Sequence, residues 1–214
     1  MTAERIETRA LTIDGPAGRL EAIMEQVPTL RQRFVSIVCH PHPQQAGTMQ
    51  NKVVTTVSRA LARHGGTALR FNYRGVGKSQ GSYDGSRGEL DDTLAALGRL
   101  RADCGASLPV VIAGFSFGGA IAYRAAAETT AADLITIAPA LERIPAGVTA
   151  APRAWLLVQG DDDDVIPAAG VLEWALSHNR RPDIVQFAET GHFFHGRLPQ
   201  LTAAIARHLE TTGI

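Results

Sequence analysis

The stretch Val110 to Ala120, VVIAGFSFGGA, decides how this chain is read. Its first half is a continuous apolar, β-branched run, the composition that a parallel strand buried on both faces requires. Its second half runs into the alanine-rich AIAYRAAAE (120–128), small-sided enough to lie as a helix close against a sheet. Between the two stands Gly114-Phe115-Ser116-Phe117-Gly118, a match to G-x-S-x-G. In that pattern the glycines remove Cβ clashes, so a strand can turn sharply into a helix with the serine hydroxyl exposed above the sheet. The helix that starts there brings its positive end close to any oxyanion that develops. The bland alternative is a glycine-rich turn with a capping serine, so the rest of the chain has to decide.

Moving outward, the same alternation repeats. Upstream, RIETRALTIDG (5–15) and GRLEAIMEQV (18–27) have strand-like spacing around the turn DGPAG and predict a hairpin. FVSIVCH (34–40) predicts a buried strand. A helix is expected from about Met49 to Arg63, stopped by HGG before the strand TALRFNY (67–73). ELDDTLAALGRLRAD (89–103) carries acids in its first turn and bases in its last, as a helix dipole favours. Downstream, ADLITIAPAL (132–141), RAWLLVQG (153–160) and DIVQFAE (183–189) read as strands. AAGVLEWALSH (168–178) and LPQLTAAIARHLE (198–210) read as helices. Alternation of this kind predicts an α/β layered fold with a largely parallel sheet and right-handed crossovers. No repeat or linker interrupts it, so one domain spanning 1–214 is expected.

The composition agrees. The 214 residues are 45% hydrophobic and 20% charged, enough for one sizeable core. Lys+Arg and Asp+Glu number 21 each, so no net charge steers the chain toward nucleic acid or an anionic membrane. Cys39 and Cys104 are too few for a disulfide framework. The start, MTAERIETRALTIDG, has no apolar core of a signal, and no segment reaches a membrane-spanning length. A cytoplasmic protein is expected.

Ligands of open α/β sheets bind at the carboxyl ends of the strands. Four loops there are chemically loaded: HPHPQQAGT (40–48), GFSFGG (114–119), QGDDDDVIP (159–167) and ETGHFFH (189–195). A serine needs a base within hydrogen-bond reach and a third group to orient that base, in the order Ser, acid, His on such a scaffold. Asp163 is the chosen acid, because G-x-x-D followed by x-V-I-P leaves Pro167 to open the next helix. Asp161 competes with it, while Asp162 and Asp164 are expected to face solvent or cap. His192, after a glycine at the loop tip, is the chosen base, with His195 as second candidate. His64, His178 and His208 are expected near helix ends or on helix surfaces. His40-x-His42 after a strand also suggests a zinc site of the barrel-type amidohydrolases. Such barrels need about 250 residues, and the ordered serine, acid and histidine would then be coincidence. No metal and no cofactor are expected.

With FNYRGVGKSQG (71–81) matching N-x-R-G-x-G-x-S-x-G as well, the chain resembles the α/β-hydrolase superfamily. Within it the resemblance is to the small lidless hydrolases related to dienelactone hydrolases and carboxylesterases. The resemblance covers roughly Arg19 to His208. It implies an eight-stranded sheet whose second strand is antiparallel, with Ser116, Asp163 and His192 as catalytic triad. A cap domain would fall between the sixth and seventh strands, where APALERIPAGVTAAPRAW (138–155) allows only a short connection. No lid and an open site are therefore expected. Dienelactone hydrolases carry cysteine at the position of Ser116, so their lactone chemistry is not carried over.

Such enzymes hold the oxyanion with one N–H from the residue after the nucleophile, here Phe117, and another from the loop after the third strand. Among Pro41, His42 and Pro43 only His42 has an N–H to give. Thr48 is a plausible cap for the helix that follows. The expected activity is hydrolysis of a small carboxylic ester, a small-molecule substrate, with neither nucleic acid nor membrane as partner. A thioesterase or acyltransferase using the same triad, or a non-catalytic binding protein on this fold, are the alternatives. Phe115, Phe117, Phe193, Phe194 and Tyr83 are candidates for an apolar pocket, although aromatics are mostly packing residues. Arg74 and Lys78 could read a negative group, against the simpler expectation of a loop salt bridge.

Overall fold

A computed structural model describes residues 5–214; Met1 to Glu4, where the segment read for a leader begins, lie outside the described residues. One eight-stranded sheet runs through the chain in the order β1-β2-β4-β3-β5-β6-β7-β8. The strands are β1 (Glu7–Gly15), β2 (Gly18–Gln26), β3 (Phe34–Cys39), β4 (Gly66–Phe71), β5 (Val110–Phe115), β6 (Asp133–Ile137), β7 (Trp155–Gly160) and β8 (Asp183–Phe187). β2 runs antiparallel to both its neighbours, and the pairings from β4 to β8 are parallel. The helices are α1 (Lys52–Arg63), α2 (Arg87–Cys104), α3 (Phe117–Ala127), α4 (Ala168–Leu176) and α5 (Leu198–Thr212).

The central strands are buried along their whole length, and their side chains alternate between two cores. Val35, Ile37, Val110, Ile112 and Leu134 join Leu97, Ile121 and Val171 of α2, α3 and α4 on one face. Phe34, Val38, Val111, Ala113 and Ile135 join Val54, Leu61, Leu201 and Ile205 of α1 and α5 on the other. Period-2 alternation with apolar groups on both sides is why these runs read as uninterrupted apolar segments.

Register places the functional loops at one level. Cys39 lies beside Gly114, Phe115 beside Ile137, and Gly160 beside Phe187, so the chain leaves β3, β5, β7 and β8 along one edge. Between β6 and β7 it makes only a short crossing, with a 3-10 turn at Leu141–Arg143, and no cap is inserted. No helix of the described residues is long and apolar enough to cross a membrane.

Two local expectations are corrected. Asn51, not Thr48, caps α1: its Oδ1 accepts from the N–H of Val53 (2.8 Å) and Val54 (3.5 Å), while Thr48 Oγ1 accepts from Gln50 N–H (3.2 Å) in the turn before it. His178 lies just past the end of α4, as expected, and is half-buried. Its Nδ1 donates to Trp174 C=O (2.8 Å), leaving Nε2 to accept from Tyr123 OH (2.7 Å) beside Trp155 and Trp174. His208 is buried on α5 with Nδ1 3.1 Å from Asp183.

Candidate active site

Ser116 sits at the end of β5 with φ 58° and ψ −120°, a backbone conformation that costs a side-chain-bearing residue about 1–3 kcal/mol. The surroundings hold it there. Its N–H donates to Ile137 C=O (2.9 Å), and its C=O accepts from Gly119 (2.8 Å) and Ala140 (3.1 Å). The flanking glycines are required by close approach. A Cβ on Gly114 would come within 2.0 Å of the Gly118 carbonyl oxygen, and one on Gly118 within 2.3 Å of the Cys39 carbonyl oxygen. No side chain fits at either place, which is the physical content of the G-x-S-x-G pattern.

The four loaded loops converge. His192 Nε2 lies 3.0 Å from Ser116 Oγ, and His192 Nδ1 lies 2.9 Å from Asp163 Oδ2. All three side chains are buried or nearly so. Asp163 Oδ1 also accepts from the N–H groups of Val165 (2.9 Å) and Ile166 (2.7 Å), and Oδ2 accepts from Gln159 Nε2 (3.1 Å). Burial would raise the Asp163 carboxyl, but the hydrogen bonds from His192 and from backbone N–H groups outweigh it and hold it below its ordinary value. With that carboxylate ionised, Nδ1 carries the proton and Nε2 is free to accept one from the serine. Phe115 and Phe193 pack on the imidazole at 4.9 and 5.2 Å between ring centres, fixing the ring plane.

The rest of the aspartate run divides by role. Asp161 turns toward the histidine loop and accepts from Thr190 N–H (3.4 Å); Asp162 and Asp164 are exposed. His195 is exposed as well and stands outside the hydrogen-bonded line. Gln159, whose amide reaches Asp163, is a site residue that the strand pattern does not name. Its signal was a lone polar side chain inside the otherwise apolar WLLVQ of β7.

His40 and His42 diverge rather than sharing a ligand. His40 is buried against Tyr73 with ring centres 4.3 Å apart. Its Nδ1 donates to Pro41 C=O (2.7 Å), and its Nε2 accepts Tyr73 N–H (3.1 Å). His42 lies over Phe117 (5.0 Å) and Tyr83 (5.2 Å). The N–H groups of His42 and Phe117 donate to no acceptor among the described residues.

The aromatic candidates separate too: Phe115, Phe117 and Phe194 are core, and Phe193 is half exposed. Arg74 is bound by Asp92 (Nε–Oδ2 3.0 Å, Nη2–Oδ1 2.8 Å) and is mostly buried. The N-x-R-G-x-G-x-S-x-G segment is in fact a brace. Asn72 accepts from Met49 N–H (2.8 Å) and donates to Glu21 (2.8 Å), while Ser79 Oγ donates to Asn72 C=O (2.7 Å).

A family model described as serine aminopeptidase, S33, matches residues 46–160. A curated, uncharacterised protein of Rickettsia prowazekii (strain Madrid E) is 32% identical over 208 residues, covering 92% of this chain and 87% of its own. A solved α/β serine hydrolase without a lid from Xanthomonas campestris superposes with a TM-score of 0.90. It is 39% identical over 96% of this chain and 94% of that one. An α/β serine hydrolase homologue from Coxiella burnetii follows at TM-score 0.87 and 39% identity, covering 94% and 97%.

Proposed function

The chain belongs to the α/β serine hydrolases without a lid, and from that membership we propose that it hydrolyses small carboxylic esters through an acyl-enzyme on Ser116. The observation that carries this reading is the unbroken line Asp163–His192–Ser116, at 2.9 and 3.0 Å. Ser116 Oγ attacks the ester carbonyl as His192 Nε2 takes its proton. Asp163 orients the imidazole and stabilises the positive charge that forms on it. His192 returns the proton to the leaving alcohol, water enters, and the same steps in reverse order free the acid.

The backbone N–H groups of His42 and Phe117 hold the oxyanion in this mechanism. Neither donates to an acceptor among the described residues, and the start of α3 packs closely against the end of β3, with Gly118 against the Cys39 and His40 carbonyls. Pro41 and Pro43 stiffen the donor loop, and His40 pins the Pro41 carbonyl. A trans peptide directs its N–H opposite to its C=O, so that bond aims the His42 donor. Preorganisation of this kind is what makes such donors effective. The proposal places the reaction in the cytoplasm, on a small-molecule substrate, without nucleic acid or membrane.

A second reading, release of N-terminal amino acids, is favoured by the description of the matched family model. Against it, the rim beside His42 presents the cation of Arg143 (3.3 Å), which repels an N-terminal ammonium. Short- and long-chain activated esters and aminoacyl anilides, assayed with wild type and Ser116→Ala, separate these readings. Ester hydrolysis that falls by about 10⁴-fold or more in the variant is the expected result. Equal rates in both proteins would overturn the proposal, and turnover confined to the anilides would replace it with the second reading.

A further inference from the structure

Three loops meet at the rim of the proposed oxyanion site, and the side chains they bring are nearly all donors. Arg143 comes from the short crossing between β6 and β7, three residues after Ala140, whose N–H is bonded to the carbonyl of Ser116 (3.1 Å). Its Nη2 lies 3.3 Å from His42 Nε2, and its Nη1 donates to Tyr83 OH (3.5 Å). Tyr83 OH in turn lies 3.3 Å from His42 Nε2.

The protons on this cluster follow from one further contact. His42 Nδ1 accepts from Gln44 N–H (3.2 Å), so in the neutral ring Nε2 carries the hydrogen. Desolvation and then the Arg143 charge hold the His42 pKa below its ordinary value, keeping the ring neutral. Nε2–H and the guanidinium therefore confront each other donor to donor. Tyr83 oxygen accepts from both, which leaves its own O–H without a partner. Arg143 Nε is buried and makes no hydrogen bond; it forms a loose ion pair with Glu142 Oε1 at 3.6 Å, on a side chain 64% exposed. Glu89, the other acid felt by His42, spends its oxygens on the N–H groups of Asp84 and Ser86.

We propose that Arg143, His42 Nε2–H and Tyr83 OH form a subsite for a free carboxylate on the acyl part of the substrate, so that the preferred substrates are hemiesters of short dicarboxylic acids. A carboxylate is acceptor-only and matches the donor fork of an arginine. The shared residue limits the chain length. One residue, His42, offers its backbone N–H to the ester oxygen and its ring to the carboxylate, so a few methylene groups separate the two. This rests on the esterase reading, with water as acceptor of the acyl group.

The test compares monomethyl glutarate with its uncharged amide counterpart, methyl glutaramate, by pH-stat. Wild type is expected to favour the hemiester by about tenfold or more, expressed in KM, as a charge-assisted contact provides. Arg143→Met should bring that ratio near one, Arg143→Lys should keep part of it, and Tyr83→Phe should lose part. Glu142→Gln should raise it by removing the competing carboxylate. Equal use of both esters by wild type, or an unchanged ratio in Arg143→Met, overturns the subsite. If fluorophosphonate still labels Ser116 and methyl glutaramate is still cleaved, only the subsite has failed; loss of both labelling and cleavage in wild type rejects the esterase reading with it.

Discussion

Four consecutive aspartates fall within one turn, and their roles separate by geometry alone. Asp163 is the one buried member and makes four hydrogen bonds, to His192, Gln159 and two backbone N–H groups. Asp161 braces the neighbouring loop through Thr190, and Asp162 and Asp164 face solvent. Asp163→Asn keeps the shape but presents an amide to His192 Nδ1, which favours the wrong tautomer at Nε2. It should lower kcat on the order of 10³- to 10⁴-fold with little change in KM. Asp161→Asn and Asp164→Asn should stay within about threefold of wild type, since neither touches the imidazole. Steady-state kinetics of the three variants on one activated ester decides this, and a reversed ranking would move the acid to another position in the run.

At the scale of elements, α1 starts three residues later than its expected cap, Thr48: Asn51, also a good cap by residue type, takes the role. The structure selects Asn51 because Met49 N–H is tied to Asn72 Oδ1 and Arg70 donates to the Met49 carbonyl (2.9 Å), which keeps residues 48–50 out of the helix. Asn51→Ala should therefore cost about 1 kcal/mol and lower Tm by about 2–4 °C without changing kcat, whereas Thr48→Ala should leave Tm nearly unmoved; a thermal melt with a parallel ester assay reads both. The strands and helices themselves were legible because buried parallel strands and G-x-S-x-G turns leave strong local signals. The residues that the structure brings to Ser116 were legible in kind and order. What surrounds them was legible only in part. Tyr83 stands among the aromatic candidates, but its contact with His42 across 41 residues of chain, and that of Arg143 across 101, leave no local pattern to read. His208 went astray for a related reason: a polar residue near a helix end looks solvated until the neighbouring strand that covers it is placed.

For the whole molecule, the buried histidine that directly follows β3 links stability to pH. His40 is fully buried, with both nitrogens committed and its pKa pushed down by desolvation to about 3, against a smaller upward pull from its bond to Pro41. In the unfolded chain the same ring titrates near 6.5. Between these values the unfolded state binds a proton that the folded state refuses, so stability rises with pH across that window and is lost as pH falls below about 6.5. The slope is about 1.4 kcal/mol per pH unit per proton, on the order of 5 kcal/mol over the whole window. His208 and His42, whose pKa values are also lowered by desolvation, act in the same sense. Glu25 and Asp163 join only at lower pH. Despite burial, their hydrogen bonds, chiefly from Arg70 and from His192, hold them below their ordinary values, and the stability they contribute is lost as pH falls through the carboxylate range. Asp133, raised by burial, opposes them. The urea midpoint of wild type should thus fall already between pH 6.5 and 5, before the carboxylates protonate. His40→Gln, less stable at neutral pH, should show a shallower slope there. A wild-type midpoint that stays flat from pH 7 to 5 would mean that His40 takes up its proton inside the fold, and the rigid tether assigned to the Pro41–His42 peptide would go with it.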